Sequence, residues 1–173
     1  GRSAGEDMLS RLYLLRHAKA VSAAPGMADF DRPLDRRGLA DARAVGEAMA
    51  SGGHRPALVL CSAARRAQET WAGVEAVLGP VAGEVRYLRA LYGTDARGYI
   101  DAVHSVGDEA DTVLLVGHNP TIEETACLLA QDGAERFGSG FPTSGLAVFR
   151  FDGALSAVRP GAGVLEAYLR VRD

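Results

Sequence analysis

The stretch LYLLRHAKA, residues 12–20, begins as a run of apolar residues and ends abruptly at Arg16 and His17. A short apolar run that stops at polar residues is typical of a buried β-strand. Two later runs, 57–61 and 112–117, have the same form. The first leads into Ser62, Arg65 and Arg66, and the second into His118 and Asn119. The histidine and arginine residues that could carry chemistry therefore follow the ends of predicted buried strands.

Strand-like runs alternate with longer amphipathic runs along the chain, a pattern typical of repeated βαβ units. We expect an α/β protein built as a three-layer α/β/α sandwich, with a mainly parallel sheet of five or six strands. The expected strands are 11–16, 57–61, 84–88, 112–117, 146–151 and 164–171. Four helices are expected between them.

Capping residues predict the ends of the helices. Asp35 is the expected N-cap of the first helix and Thr94 that of the third. Asn119 is the expected N-cap of the fourth, with Pro120 at its first position and Glu123 and Glu124 in its first turn. Gly52-Gly53 and Gly79-Pro80 end the first two helices, and FDGAL, 151–155, is interpreted as a hairpin turn between the last two strands.

Length and charge limit the class of protein. With 173 residues and a formal net charge of −3, the chain fits one domain, 8–173, without the excess positive charge of a nucleic-acid-binding protein. No apolar run approaches the roughly 20 residues that a membrane span needs. Residues 1–7 are interpreted as an N-terminal extension or a remnant of cloning.

The two cysteines, Cys61 and Cys127, lie in apolar stretches and lack the spacing of a metal or redox motif. We interpret them as buried thiols and expect a cytoplasmic location. A cysteine phosphatase needs an arginine six positions after its cysteine, and Ala67 stands there after Cys61. That class is excluded by spacing.

If the strands that end at Arg16-His17, Ser62 and Gly117 are neighbours, their carboxyl ends meet at one edge of the sheet. Two histidines and at least two arginines then share a pocket, next to the positive end of the helix that follows His118. The expected ligand is phosphate. Neighbouring guanidinium groups lower the pKa of an imidazole, so one histidine could attack phosphorus and form a phosphohistidine intermediate without a metal.

Other interpretations remain open. A single histidine after a strand is usually structural, and His54 and His104 receive no role. A metallohydrolase is a weak alternative, because His17 and His118 lack partners at the short spacings of metal ligands. A non-catalytic module that binds phosphate or a phosphoprotein would need the same pocket. No cofactor or metal is expected.

Four ordered motifs resemble those of the histidine phosphatase superfamily, also called phosphoglycerate mutase-like, and in particular its SixA-type phosphohistidine phosphatase branch. They are LYLLRHAKA, FDRPLDRRG (30–38), CSAARRAQET (61–70) and VGHNP (116–120). The resemblance implies that His17 is the nucleophile and that Arg16, Arg66 and His118 complete the phosphate pocket. The residues expected to bind the substrate are Arg16, Arg66 and Asn119. The resemblance also implies the three-layer fold.

One departure affects the expected chemistry. Many members of the superfamily have a glutamate proton donor after the third strand, and RYLRALYGTD, 86–95, contains none. Candidates to replace it are Asp95, Asp31, Asp29 and Tyr92. The imidazole of a phosphohistidine can leave as a neutral ring, so its departure does not need a strong general acid. The expected substrate is therefore protein phosphohistidine, carried by a partner such as a histidine-containing phosphotransfer domain. A small phosphorylated substrate is the alternative.

Overall fold

The computed structural model describes residues 8–172. Its strands are β1 Leu9–Arg16, β2 Leu58–Ser62, β3 Val85–Leu88, β4 Thr112–Gly117, β5 Leu146–Asp152 and β6 Val164–Leu169. Its helices are α1 Arg36–Ser51, α2 Arg65–Leu78, α3 Ala96–Val106 and α4 Thr121–Leu129. All six expected strands and all four expected helices are present, so the α/β fold class is confirmed.

The six strands form one sheet in the order β3-β2-β4-β1-β5-β6. Strands β3, β2, β4 and β1 are parallel, whereas β5 and β6 are antiparallel to their neighbours. The sheet is therefore mainly parallel, as expected. Because β2, β4 and β1 lie side by side, the three strand ends that carry polar residues reach the same edge.

Alternate side chains of β1 enter two separate hydrophobic cores, as the two-residue period of a strand requires. Leu12 and Leu14 pack with residues of α3 and α4 on one face of the sheet. Tyr13 and Leu15 pack with residues of α1 and α2 on the other. The central sheet is thus covered by two helices on each face, which makes the three layers.

Two helix starts differ from the prediction. Asp95, not Thr94, is the N-cap of α3, because its carboxylate accepts from Gly98 N at 3.1 Å. Helix α4 begins at Thr121 and its N-cap is Pro120 rather than Asn119. The Asn119 side chain still satisfies the helix end, since its Oδ1 accepts from Glu123 N. Asp35 caps α1 as expected, bonding Gly38 N at 2.7 Å.

FDGAL was interpreted as a hairpin turn, and β5 and β6 do pair antiparallel, but their connection is longer than a turn at FDGAL. Residues 153–163 separate β5 from β6, and they include a short 3-10 turn, Leu155–Ala157. Gly153, at a φ of 88°, does turn the chain. Leu155 then packs into the core beside α3, and burial of that side chain lengthens the connection.

The two cysteines are free thiols that differ in exposure. Cys61 is buried as predicted, whereas Cys127 is partly exposed. Within residues 8–172, no helix has the length and apolar character that crossing a membrane requires. The prediction made for residues 1–7 lies outside the described part of the chain.

Candidate active site

Two imidazoles meet at the carboxyl edge of the sheet. His17 follows β1 and His118 follows β4, and their ring centroids are 5.2 Å apart. The backbone keeps the two strand ends together, since His17 N donates to Gly117 O at 3.0 Å. Both rings are therefore within reach of one phosphoryl group.

The hydrogen bonds of His17 define its protonation. Its Nδ1 lies 2.7 Å from Ala18 O, and because a carbonyl oxygen only accepts, Nδ1 carries the proton. The lone pair of the neutral ring is then on Nε2. Burial, and to a smaller degree His118, Arg66 and Arg16, lowers the pKa of His17 to about 3. The ring is neutral at physiological pH.

Arg66, the second residue of α2, is buried with 5% of its surface exposed. Its Nε donates to His17 Nε2 at 3.3 Å, its Nη1 to Asp29 O at 2.7 Å and its Nη2 to Asp29 Oδ2 at 3.0 Å. Arg65, its neighbour, is exposed and forms an ion pair with Glu69. The structure thus brings Arg66, and not Arg65, into the site.

Arg16 is the last residue of β1 and is half-buried beside the site. Its Nη1 donates to Phe141 O at 2.7 Å, which fixes the side chain to the loop before β5. Burial lowers the pKa of Arg16, whereas Glu123 raises it. The guanidinium nevertheless stays charged, because its ordinary pKa is above 12.

His118 is held by two groups outside the predicted site. Its Nε2 lies 2.7 Å from Ser62 Oγ at the end of β2, and its backbone N donates to Tyr99 Oη at 2.9 Å. Burial, followed by the charge of Arg66, lowers the pKa of His118 to about 4. This second imidazole is also neutral at physiological pH.

Asn119, predicted to contact substrate, lies in the same cleft but uses its amide within the protein. Its Oδ1 accepts from Glu123 N, while its Nδ2 donates to Phe141 O at 3.2 Å. The carbonyl of Phe141 is therefore shared with Arg16. In this arrangement Asn119 links the start of α4 to the loop that holds Arg16.

The four candidate acids are in different places. Asp29 and Tyr92 lie beside Arg66, and Tyr92 Oη donates to Asp29 Oδ2 at 2.7 Å. Asp95 caps α3 at the rim of the cleft next to His118. Asp31 is exposed in the short 3-10 turn Asp29–Asp31 and does not line that cleft. Only Asp29 and Tyr92 contact the cluster of histidines and arginines.

A cleft of about 460 Å³ opens beside His118. Its lining includes Arg66, which is buried, and Tyr92, which is half-buried. Two exposed acidic residues, Asp95 and Glu124, also line it. The cleft is thus positive where the phosphoryl group is expected and negative where the rest of a substrate would lie.

Sequence reasoning missed two residues that support the site. Thr70 Oγ1 accepts from Ala18 N at 2.9 Å and donates to Arg66 O at 2.7 Å, so it joins the segment after His17 to α2. Ser62 contacts His118, as described above. Both stand in the quoted motif CSAARRAQET, and their fixed spacing from Arg66 was the available signal.

The remaining histidines lie apart from this cluster. His54 Nδ1 is 3.4 Å from Tyr13 Oη, and His104 Nε2 is 2.8 Å from Val158 O. In the portion of the chain from 8 to 172, no group of three or more His, Cys, Asp or Glu residues is arranged to hold a metal ion.

Comparison with known proteins agrees with this geometry. Residues 12–96 match the histidine phosphatase superfamily (branch 1). An uncharacterized protein of Mycobacterium tuberculosis, strain CDC 1551, is 39% identical over 163 residues, which are 89% of this chain and 98% of that protein.

Solved structures give the same result. A crystal structure from Agrobacterium tumefaciens, provisionally assigned as the phosphohistidine phosphatase SixA, is 35% identical with a TM-score of 0.81, covering 93% of this chain and 97% of that one. A mycobacterial glucosyl-3-phosphoglycerate phosphatase shares the fold alone, at 18% identity and a TM-score of 0.66, with 92% of this chain and 98% of that chain covered. This chain therefore belongs to the histidine phosphatase superfamily, and it is a phosphatase of the SixA-like type.

Proposed function

We propose that this protein hydrolyses phosphohistidine on other proteins, without a metal ion, through a covalent intermediate on His17. The observation that carries the proposal is the state of His17. Its Nδ1 proton is held by Ala18 O, so the Nε2 lone pair faces a buried cluster of cationic side chains. A neutral imidazole whose Nε2 is unprotonated is a competent nucleophile toward phosphorus.

In the first step, the Nε2 lone pair of His17 forms a bond to phosphorus, and the bond between phosphorus and the substrate nitrogen breaks. The electron pair of that bond stays on the leaving imidazole. Because the other ring nitrogen of phosphohistidine is protonated near neutral pH, the leaving group departs as neutral imidazole. In the second step, water attacks phosphorus and the bond between phosphorus and Nε2 breaks. Inorganic phosphate is released, and the electron pair returns to Nε2, which restores neutral His17.

Positive charge in the pocket stabilises the transition state. Arg16 and Arg66 can neutralise the equatorial oxygens of the transferring phosphoryl group. The N-terminus of α4 lies next to His118 and adds the positive end of its dipole. These groups supply the charge neutralisation that Mg²⁺ supplies in other phosphoryl-transfer enzymes, which supports metal independence.

The cleft favours a neutral or cationic leaving group. Asp95 and Glu124 at its rim repel a substrate that carries its own carboxylate, such as a phosphoglycerate. His17 and His118 are each 8% exposed and Arg66 is 5% exposed, so the phosphoryl group must be carried on a narrow group that can enter the site. An imidazole on a protein partner, such as a histidine-containing phosphotransfer domain, meets both requirements.

The relative from Agrobacterium tumefaciens, described as a phosphohistidine phosphatase, supports the same substrate class. A small phosphomonoester is the second candidate, because the phosphate pocket itself does not distinguish the two. A binding module without turnover is the third. The cytoplasmic location expected from the two free thiols stays a prediction.

The decisive experiment compares kcat/KM for a phosphohistidine protein, an aryl phosphate and several alkyl phosphates, each with and without EDTA. We expect efficient hydrolysis of phosphohistidine, moderate hydrolysis of the aryl ester and little of the alkyl esters, all unaffected by EDTA. A phosphoglycerate or sugar phosphate hydrolysed faster than phosphohistidine would reverse the substrate assignment. Activity lost with EDTA and restored by a divalent ion would favour a metallohydrolase.

A further inference from the structure

Every nitrogen of the Arg66 guanidinium has a hydrogen-bond partner. Nε donates to His17 Nε2, while Nη1 and Nη2 both donate to Asp29, one to its backbone oxygen and one to its carboxylate. A single residue, Asp29, therefore fixes the plane of the guanidinium. That plane determines which N–H groups face the nucleophile.

The Asp29 carboxylate accepts from three donors. Oδ2 accepts from Tyr92 Oη at 2.7 Å and from Arg66 Nη2, and Oδ1 accepts from Arg32 Nε at 2.9 Å. These hydrogen bonds, that of Tyr92 first, hold the pKa of Asp29 well below its usual range. An ionised carboxylate that is bonded to three donors has no proton to give.

The ring of Tyr92 is fixed between groups of the site. It packs edge to face against Phe30 at 5.1 Å and against His118 at 5.6 Å between centroids, and the Arg66 guanidinium lies 5.9 Å from its centroid. The hydrogen bond to Asp29 raises the pKa of Tyr92 and directs its proton to that carboxylate. A phenol in this state is a poor proton donor to substrate.

We infer that Tyr92 and Asp29 are positioning residues that hold the Arg66 guanidinium in place beside His17, and that neither donates a proton to the leaving group. This inference rests on the proposed function. Tyr92 lies in the segment after β3 where many superfamily members carry the glutamate donor. In this chain the segment supplies a support for Arg66 in place of an acid.

Leaving-group dependence separates the two roles. Loss of a general acid slows substrates in proportion to the basicity of their leaving group, whereas loss of a positioning contact slows all of them equally. We expect Tyr92→Phe to lower kcat/KM by about tenfold, the value of one hydrogen bond to a charged group, for every member of a series of aryl phosphates. A loss that grows with the pKa of the leaving phenol would overturn the inference.

A second readout does not depend on turnover. We expect the Arg66 Nε–H resonance in ¹⁵N NMR spectra to be sharp and slow to exchange in wild type, and broad in Asp29→Ala and Tyr92→Phe. An unchanged resonance in both variants would overturn the inference. Because this measurement needs no substrate, it still decides the role of Asp29 and Tyr92 if the wild type hydrolyses nothing, a result that would instead refute the proposed function.

Asp31→Asn is the matched control. Asp31 lies in the same 3-10 turn as Asp29 and is exposed, and the described structure gives its side chain no hydrogen bond or ion pair. We expect its kcat/KM values and the Arg66 resonance to equal those of wild type. If Asp31→Asn reproduced the effects of Asp29→Ala, loss of any negative charge in this turn would explain them, and the positioning role would be wrong.

Discussion

His17 Nε2 lies 3.3 Å from Arg66 Nε, so the nitrogen expected to attack phosphorus accepts a hydrogen bond from a cationic side chain. This contact orients the His17 ring and opposes protonation of Nε2, and it must open before Nε2 can attack phosphorus. The arginine that is expected to bind the phosphoryl oxygens therefore also contacts the nucleophile, and its charge adds to the larger effect of burial in keeping His17 neutral.

Removal of the nucleophile should abolish turnover. We expect His17→Ala to lower kcat by more than about 10³-fold, because the covalent route is lost. His118→Ala and Arg66→Ala should retain slow formation of the phosphorylated enzyme. Rapid quench with ³²P-labelled substrate should give acid-labile, alkali-stable label on wild type and none on His17→Ala. Label on His17→Ala would show that another residue is the nucleophile.

Acid should inactivate the enzyme well below the ordinary histidine range. Burial and the nearby positive charges lower the pKa of His17 to about 3 and that of His118 to about 4. Both rings should therefore stay neutral down to about pH 5, and protonation should remove the nucleophile only below about pH 4. The ring resonances of the two histidines, followed by NMR from pH 8 to pH 3, test this. A midpoint near 6.5 for either ring would contradict it.

The same shifts make folding stability depend on pH. Between the lowered pKa values and about 6.5, the unfolded state binds protons that the native state does not, so stability falls as pH falls. From pH 7 to pH 5 we expect a loss on the order of 2 kcal/mol for each histidine. Urea denaturation of wild type and of a His17→Gln, His118→Gln double variant checks this. Equal losses in the two proteins would refute it.

Thr70→Val should damage the site although Thr70 contacts no substrate. The valine leaves Ala18 N buried without an acceptor and removes the bond to Arg66 O. We expect a loss of about 1–3 kcal/mol in unfolding free energy and a lower kcat. Thr70→Ser keeps the hydroxyl and should restore most of both. A serine variant as impaired as the valine variant would show that the Thr70 hydroxyl alone does not maintain the site.

Charge at the rim of the cleft should control substrate choice. We expect the double variant Asp95→Asn, Glu124→Gln to raise kcat/KM for 3-phosphoglycerate about two- to fivefold relative to p-nitrophenyl phosphate, because two repulsive charges are lost. Asparagine preserves the N-cap of α3. Glu47→Gln, an exposed change on α1 at the opposite face of the sheet, is the control. Equal ratios in all three proteins would exclude a role for these carboxylates.

Much of the fold could be predicted from periodicity. Each strand lies within two residues of its expected limits, because apolar runs flanked by polar residues report burial directly. The meeting of His17 with His118 also follows from the rule that parallel strands present their carboxyl ends together. Local details that depend on a choice between neighbouring residues, such as Thr94 against Asp95 at a helix start, could not be decided from the pattern.

The environment of the site was harder to predict. The arginines were expected to be the main cause of the lowered histidine pKa values, whereas burial is the larger one. The contact of Asp29 with Arg66 depends on the path of residues 20–34, which have no hydrophobic period. The spacing of Ser62 from Arg66 marked it as a residue of the motif, but its hydrogen bond to His118 joins two strands that are distant in sequence and could not be predicted from that spacing.

Strand β1 lies at the centre of the sheet, between β4 and β5, and both of those neighbours come from the second half of the chain. On the ribosome, His17 therefore emerges about 100 residues before His118. At translation rates of about 5–20 residues per second, roughly 5–20 s pass in which the nucleophile is exposed without its pocket. The nascent chain can thus gain the ability to bind a phosphoryl group only late in its own synthesis.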